Sequence, residues 1–197
     1  LIVIMVRHGQ TDWNHEQRYQ GQRDIPLNET GRRQARELAL ALQHEAIDAI
    51  YCSDLIRAKE TAQIIARPLA LEVIPDPRLR EMSFGRWEGR TFSEIYRDYP
   101  EQFEEWFRHT SDYTVPGGES VNLLLERFRA LMEDISRKHA GTVLLVTHGG
   151  VMRSFLYSIL GQDPRELWEN ALEPGTLVKL MINGDDIQIL LRYTPLA

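Results

Sequence analysis

Two stretches of this chain, LIVIMV at Leu1–Val6 and TVLLVT at Thr142–Thr147, are apolar or β-branched without interruption. A strand with one face in water alternates apolar and polar residues. An unbroken run is instead buried on both faces, as in a sheet covered by helices on each side. The rest of the chain supplies those helices. Ala35, Leu38, Ala39, Leu42 and Ala46 lie on one stripe and predict a helix over about Thr30–Ala46; a second runs over about Ile56–Arg67. The strand-like AIDAIYC ends at Cys52 between them, and a short LEVI strand at Leu71–Ile74 is bounded by Pro75 and Pro77. Ser120 reads as the N-cap of a helix carrying Leu124, Phe128, Leu131 and Ile135, and Val151–Leu160 is helical again. Thr176–Ile182 and Ile187–Arg192, around NGDD, read as a closing β-hairpin. Met82–Glu119 is a mixture of helical pieces and loop. Strands alternating with helices predict an α/β fold, a three-layer α/β/α sandwich around a mostly parallel central sheet, in a single domain over residues 1–197.

Charge and cysteine content narrow the chemistry. A formal net charge of −6 is the wrong sign for a nucleic-acid binder, although a local cationic pocket in an acidic protein is compatible with it. One cysteine, Cys52, excludes an internal disulfide and any multi-cysteine zinc site, and its apolar setting makes it buried filler. No apolar run approaches the 18 or so residues of a membrane span, and LIVIMV lacks the basic leader of a signal peptide. The expected location is cytoplasmic, with no membrane partner.

Both buried runs end alike: the first passes into RHG and the second into HGG. Ligand sites in open α/β sheets lie at the carboxyl ends of strands. His8 and His148 therefore sit at that edge, and face each other if their strands are neighbours. The glycines after His148 open a helix, whose free N–H groups and dipole favour an anion. Residue types and spacing alone leave two readings open, a pair of structural caps or an anion site.

Four motifs in order, RHGQTDWN, SDLIRAKETA, LREMSFGRWEG and VTHGG, resemble those of the histidine phosphatase superfamily, phosphoglycerate-mutase-like branch. The resemblance spans Leu1 to about Leu160 and implies that branch's fold. It also implies roles. His8 matches the nucleophile that becomes phosphohistidine, and Arg7 and Arg57 match phosphate-binding guanidinium groups. His148 matches a third donor, aided by the backbone N–H of Gly149. Asn14, Gln20 and Gly21 match positions lining the phosphate pocket. Glu81 matches the general acid and base. Gln10 stands where many relatives have glutamate. The resemblance implies no metal and no cofactor.

What accepts the phosphoryl group divides that superfamily. A mutase must hold a bisphosphate away from water, which calls for a lid and further cations. Here Glu81 and His148 are 67 positions apart, shorter than in cofactor-dependent mutases, and the interval has no adjacent Arg-Arg pair; Arg86, Arg90, Arg97 and Arg108 are isolated from one another. The expectation is a phosphomonoesterase for small phosphorylated metabolites. FGRWEGRTFSEI and VPGGES most resemble broad-specificity and α-ribazole-phosphate phosphatases. A cofactor-dependent phosphoglycerate mutase is the alternative, and a non-catalytic binding protein on the same fold the second. The aromatics of the middle segment, Phe84, Trp87, Tyr96, Trp106 and Phe107, belong either to the core or to the substrate wall. The terminal hairpin offers an edge for a homodimer.

Overall fold

In a computed structural model of the chain, which describes residues 1–161, 172–184 and 186–194, β1 (Ile2–Arg7) lies inside a six-stranded sheet. On one side it pairs in parallel with β4 (Thr142–Thr147), in a register that sets Arg7 opposite Thr147. On the other it pairs antiparallel with β5 (Leu177–Asn183). Outside β4 come β2 (Ile47–Cys52) and the short edge strand β3 (Val73–Pro75), both parallel; β6 (Asp186–Tyr193) closes the far edge against β5. The order is β3-β2-β4-β1-β5-β6.

The unbroken apolar runs are explained by which neighbour each residue meets. Along β1, Val3 and Met5 enter one core, beneath α6 (Val121–Lys138) and α7 (Gly149–Leu160). Ile4 and Val6 enter the other, beneath α2 (Glu29–Leu42) and α3 (Ile56–Leu69). Along β4, Val143 and Leu145 alternate with Leu144 and Val146 in the same way. Burial stabilises each such side chain by roughly 1.5–3 kcal/mol, so neither face can be polar. Among the described residues no helix is long and apolar enough to cross a membrane.

Departures from the sequence expectations are local. Helix α2 stops at Leu42, the last buried residue of its stripe; Ala46 is exposed, because Gln43–Ala46 must turn the chain into β2 at Ile47. Helix α3 continues through Pro68 to Leu69 and ends at Ala70, whose φ of 53° is left-handed. Leu71 closes that helix end rather than opening β3. His139 is half-buried with Nε2 3.0 Å from the Tyr51 hydroxyl. Cys52 is buried, and desolvation pushes its thiol up to about 12, so it is inert at neutral pH.

The middle segment forms α4 (Phe92–Asp98) and α5 (Pro100–Arg108). Its aromatics divide. Trp87 and Trp106 are core, whereas Phe92, Tyr96 and Phe107 are among the exposed large apolar residues.

Candidate active site

Because β1 and β4 are adjacent and in register, the residues just past their ends meet. The His8 and His148 rings pack edge to face with centroids 5.0 Å apart, and both are buried. The sheet ladder continues into the site, since the His8 N–H donates to the Thr147 carbonyl at 2.9 Å. His8 Nδ1 lies 2.7 Å from the Gly9 carbonyl oxygen. A carbonyl can only accept, so the proton resides on Nδ1 and Nε2 keeps its lone pair. That lone pair accepts from Arg57 Nε at 3.2 Å. Burial, then the positive charges of Arg57 and Arg7, hold His8 well below the ordinary imidazole range. Burial, with Arg57 as the largest charge effect, does the same to His148, whose two ring nitrogens have no hydrogen-bond partner among the described residues.

The candidate cations are fixed by backbone groups. Arg57, fully buried on α3, donates its terminal nitrogens to the carbonyls of Arg23 and Gly21, each at 2.7 Å. Arg7 donates to the Leu172 carbonyl, and its buried Nε has no hydrogen-bond partner among the described residues. Both are drawn down to about 10, by burial first, and remain charged at neutral pH. Asn14, on the short helix α1 (Asp12–His15), and Gln20 are held through their oxygens. The Thr11 N–H donates to Asn14 Oδ1 at 3.0 Å, and the Thr11 hydroxyl donates to Gln20 Oε1 at 2.9 Å. Each amide therefore has its NH2 group left to offer, which suits an anion.

Glu81 stands over this group. Arg78 pairs with Asp76 and Asp134, and Arg80 with Asp54, so neither adjacent arginine takes the Glu81 carboxylate. Instead Oε1 accepts from the Met82 N–H at 2.8 Å and Oε2 from the Gly150 N–H at 2.9 Å. The second glycine of HGG is required here: a Cβ at Gly150 would come 2.3 Å from Glu81 Oε1. The first glycine is less tightly enclosed, its Cβ falling 3.2 Å from Arg7 Nε. Beneath Glu81, Arg127 donates to the carbonyls of Arg78, Arg80 and Glu81 at 2.7–3.0 Å and pairs with Glu119 at 2.9 Å. Glu119 also accepts from the Ser83 N–H at 2.9 Å, which fixes the strand of residues carrying Glu81 from both ends.

The resulting cleft, about 410 Å³, is lined by Arg7, His8, Asn14, Gln20, Gly21, Arg57 and Glu81 among others. His148 and Gly149 lie behind it, His148 against the His8 ring and Gly149 against Arg7. A larger hollow of about 570 Å³ between α6, α7 and the hairpin is lined by Met132, Phe155 and Ile182 but by none of these convergent buried polar groups. Among the described residues no cluster of three or more His, Cys, Asp or Glu side chains is placed to hold a metal ion.

Comparison with known proteins agrees with this geometry. The family model of the histidine phosphatase superfamily, branch 1, matches residues 3–194. The chain is a histidine phosphatase superfamily member. It is 40% identical over 187 residues to phosphoglycerate mutase-like protein 4 of Arabidopsis thaliana, covering 93% of this chain and 80% of that one. It is 37% identical over 167 residues to phosphoserine phosphatase 1 of Hydrogenobacter thermophilus, covering 84% and 79%. The solved α-ribazole phosphatase of Shigella flexneri superposes with a TM-score of 0.85 at 26% identity, covering 96% and 94%. The superfamily includes phosphatases and mutases, and this branch of it is where the four motifs had pointed.

In this superfamily member the cleft also has walls that the four motifs did not supply. Gln17, Arg18, Tyr19, Phe92 and Arg153 line it alongside Phe84. Arg153 lies one turn beyond Gly149 on α7, with its Nε donating to the Gly149 carbonyl at 3.2 Å. A helical spacing of four from HGG was the available signal for Arg153. No local pattern marks Tyr19 or Phe92, which reach the cleft through the approach of residues 18 and 91 in an isolated bridge.

Proposed function

We propose that this chain hydrolyses phosphomonoesters of small metabolites through a phosphohistidine on His8. The tautomer carries the reading: with its proton held on Nδ1 by Gly9, His8 directs a neutral Nε2 lone pair toward the Arg57 side of the cleft. In the first step Nε2 attacks phosphorus and the P–O bond to the alcohol breaks. The departing oxygen takes a proton from the Glu81 carboxyl. In the second step Glu81, now a carboxylate, takes a proton from water, the water oxygen attacks phosphorus, and the P–N bond breaks to release phosphate. Arg7, Arg57, His148, the Gly149 N–H and the amides of Asn14 and Gln20 stabilise charge spread over the phosphoryl oxygens. Gly21 contributes through its carbonyl, which orients Arg57.

Hydrolysis rather than transfer is supported by where the arginines of the middle segment lie. Arg90 and Arg97 both pair with Asp98, and Arg108 pairs with Glu104 and Glu105. None of these lines the cleft, so the segment brings it no further cations. The 40% identity to a mutase-like protein favours phosphoglycerate isomerisation as the second reading.

Brief exposure to a labelled phosphoester followed by quenching tests the mechanism. The expected result is an acid-labile, base-stable label on the protein, absent in His8→Ala, with phosphate release from p-nitrophenyl phosphate. Failure to label and to release phosphate would refute the proposal. Rapid conversion of 3-phosphoglycerate in the presence of bisphosphoglycerate, with little free phosphate, would establish the second reading in its place.

A further inference from the structure

The phosphate end of the cleft is cationic, whereas its outer wall is mainly aromatic. Tyr19, Phe84 and Phe92 form that wall beside Arg18, which pairs with Glu16 and Glu94, and Arg153, which reaches back to the Gly149 carbonyl. Phe92 also lines a second, open hollow of about 510 Å³ with Tyr96, Phe103, Phe107, Glu104 and Arg108. The two hollows therefore share one ring. Beyond that ring the surface stays aromatic, with Phe92 53%, Tyr96 48% and Phe107 42% exposed. Single exposed apolar residues are ordinary, whereas a contiguous exposed patch marks a surface that binds something.

The patch is rigid. Phe92 and Tyr96, one turn apart on α4, lie nearly parallel, with centroids 6.2 Å apart and planes 3° apart. Buried Phe103 meets both edge to face, at 5.0 and 6.0 Å, and is itself packed on Trp106 at 5.5 Å. The start of α4 is fastened to the cleft. Arg18 donates to the Gly89 carbonyl at 2.8 Å and to Glu94 at 3.3 Å, while Thr91 and Glu94 form a capping box. Rings held this way lose little freedom when a ligand covers them.

Its charge narrows the occupant. Arg108 is paired with Glu104 at 3.4 Å, so the rim carries no net charge with which to recruit a second anion. We propose that the Phe92–Tyr96–Phe107 shelf is the subsite for the alcohol half of the substrate, and that the preferred esters carry an apolar group beyond the phosphate. This rests on the phosphatase reading above. Phosphate binds on the arginines, and the apolar group passes Phe92 and lies on the shelf.

A series of n-alkyl phosphates from ethyl to octyl tests this, because the leaving-group alcohols have nearly constant acidity while apolar length grows. The expected kcat/KM rises at least tenfold from ethyl to octyl, about 1.4 kcal/mol. In the Tyr96→Ser/Phe107→Ser double variant the octyl-to-ethyl ratio falls by about tenfold; Tyr96→Leu, which keeps apolar surface, retains most of the gain. A flat series in the wild type, with ethyl phosphate hydrolysed, overturns the shelf but leaves the phosphatase. A double variant that keeps the gain also overturns it. If that same variant changes from dimer to monomer by sedimentation, the shelf belongs to a second copy. Hydrolysis of no ester, p-nitrophenyl phosphate included, overturns the phosphatase reading as well.

Discussion

Acid should destabilise this protein well before its carboxylates titrate. His8 and His148 are both buried and both held well below the ordinary imidazole range, chiefly by desolvation and then by neighbouring arginines. The sign follows from proton counting. As pH falls below about 6.5, these two side chains take up protons in the unfolded chain but not in the folded one. The unfolded state then binds more protons, so stability falls with falling pH, and continues to fall until the depressed folded-state values are reached. At two protons the slope approaches ~2.7 kcal/mol per pH unit. Against a total stability of about 5–15 kcal/mol, one pH unit removes a substantial share. Carboxylates held low by arginine, such as Asp54 beside Arg80, act in the same direction but only near and below about pH 4. Urea unfolding between pH 7.5 and 5 therefore isolates the histidines. The expected wild-type curve declines through that window, and the decline is about halved in His148→Asn and nearly abolished in His8→Asn/His148→Asn. A wild-type stability that stays level from pH 7.5 to 5, or a double variant with an unchanged slope, would refute the reasoning. Phosphoryl transfer should share the origin: His8 stays neutral in the folded enzyme below pH 6.5, so loss of activity in acid should track unfolding.

Two substitutions separate proton transfer from folding. Glu81→Gln should slow alkyl esters by roughly a hundredfold or more, but p-nitrophenyl phosphate by less than about tenfold, because a good leaving group needs no proton; equal slowing would remove Glu81 as the acid. Gly150→Ala sets a Cβ 2.3 Å from Glu81 Oε1 and should displace that carboxyl. Gly150 lies in the first turn of α7, so the change is read at the carboxyl: turnover of alkyl esters should drop about tenfold; unimpaired turnover would show that Glu81 position does not matter.

The sequence disclosed the floor of the site more fully than its walls. Two uninterrupted apolar runs could only be doubly buried strands, and both ended in histidine and glycine. The adjacency of β1 and β4 then turned a repeated local pattern into a contact of 5.0 Å between rings. Arg127 was not visible in this way. It sits on the polar side of an amphipathic helix, and nothing local distinguishes a solvated arginine from one that holds the carbonyls of Arg78, Arg80 and Glu81. Phe92, Tyr96 and Phe107 were equally opaque, because aromatic spacing on short helices is the same whether rings face Trp106 or water. Exposure there depends on how α4 and α5 lie over the core, which only the long-range contacts decide. The same limit explains the end of α2, where the start of β2 overrode a stripe that still read as helical at Ala46.

The backbone ladder between β1 and β4 continues past Arg7 and Thr147 to the His8 N–H. The distance between the two histidines is thus a property of strand register, and cannot be tuned by one side chain at a time. Tyr19 and Phe84 lie between elements and Phe92 opens α4, all of them off the sheet. The ring-to-ring distance belongs to the sheet, whereas the outer wall shares its segments with Gln20 and Glu81. On the proposed reading, a descendant of this protein could exchange one alcohol for another by replacing single rings of that wall, with His8 and His148 left where they were.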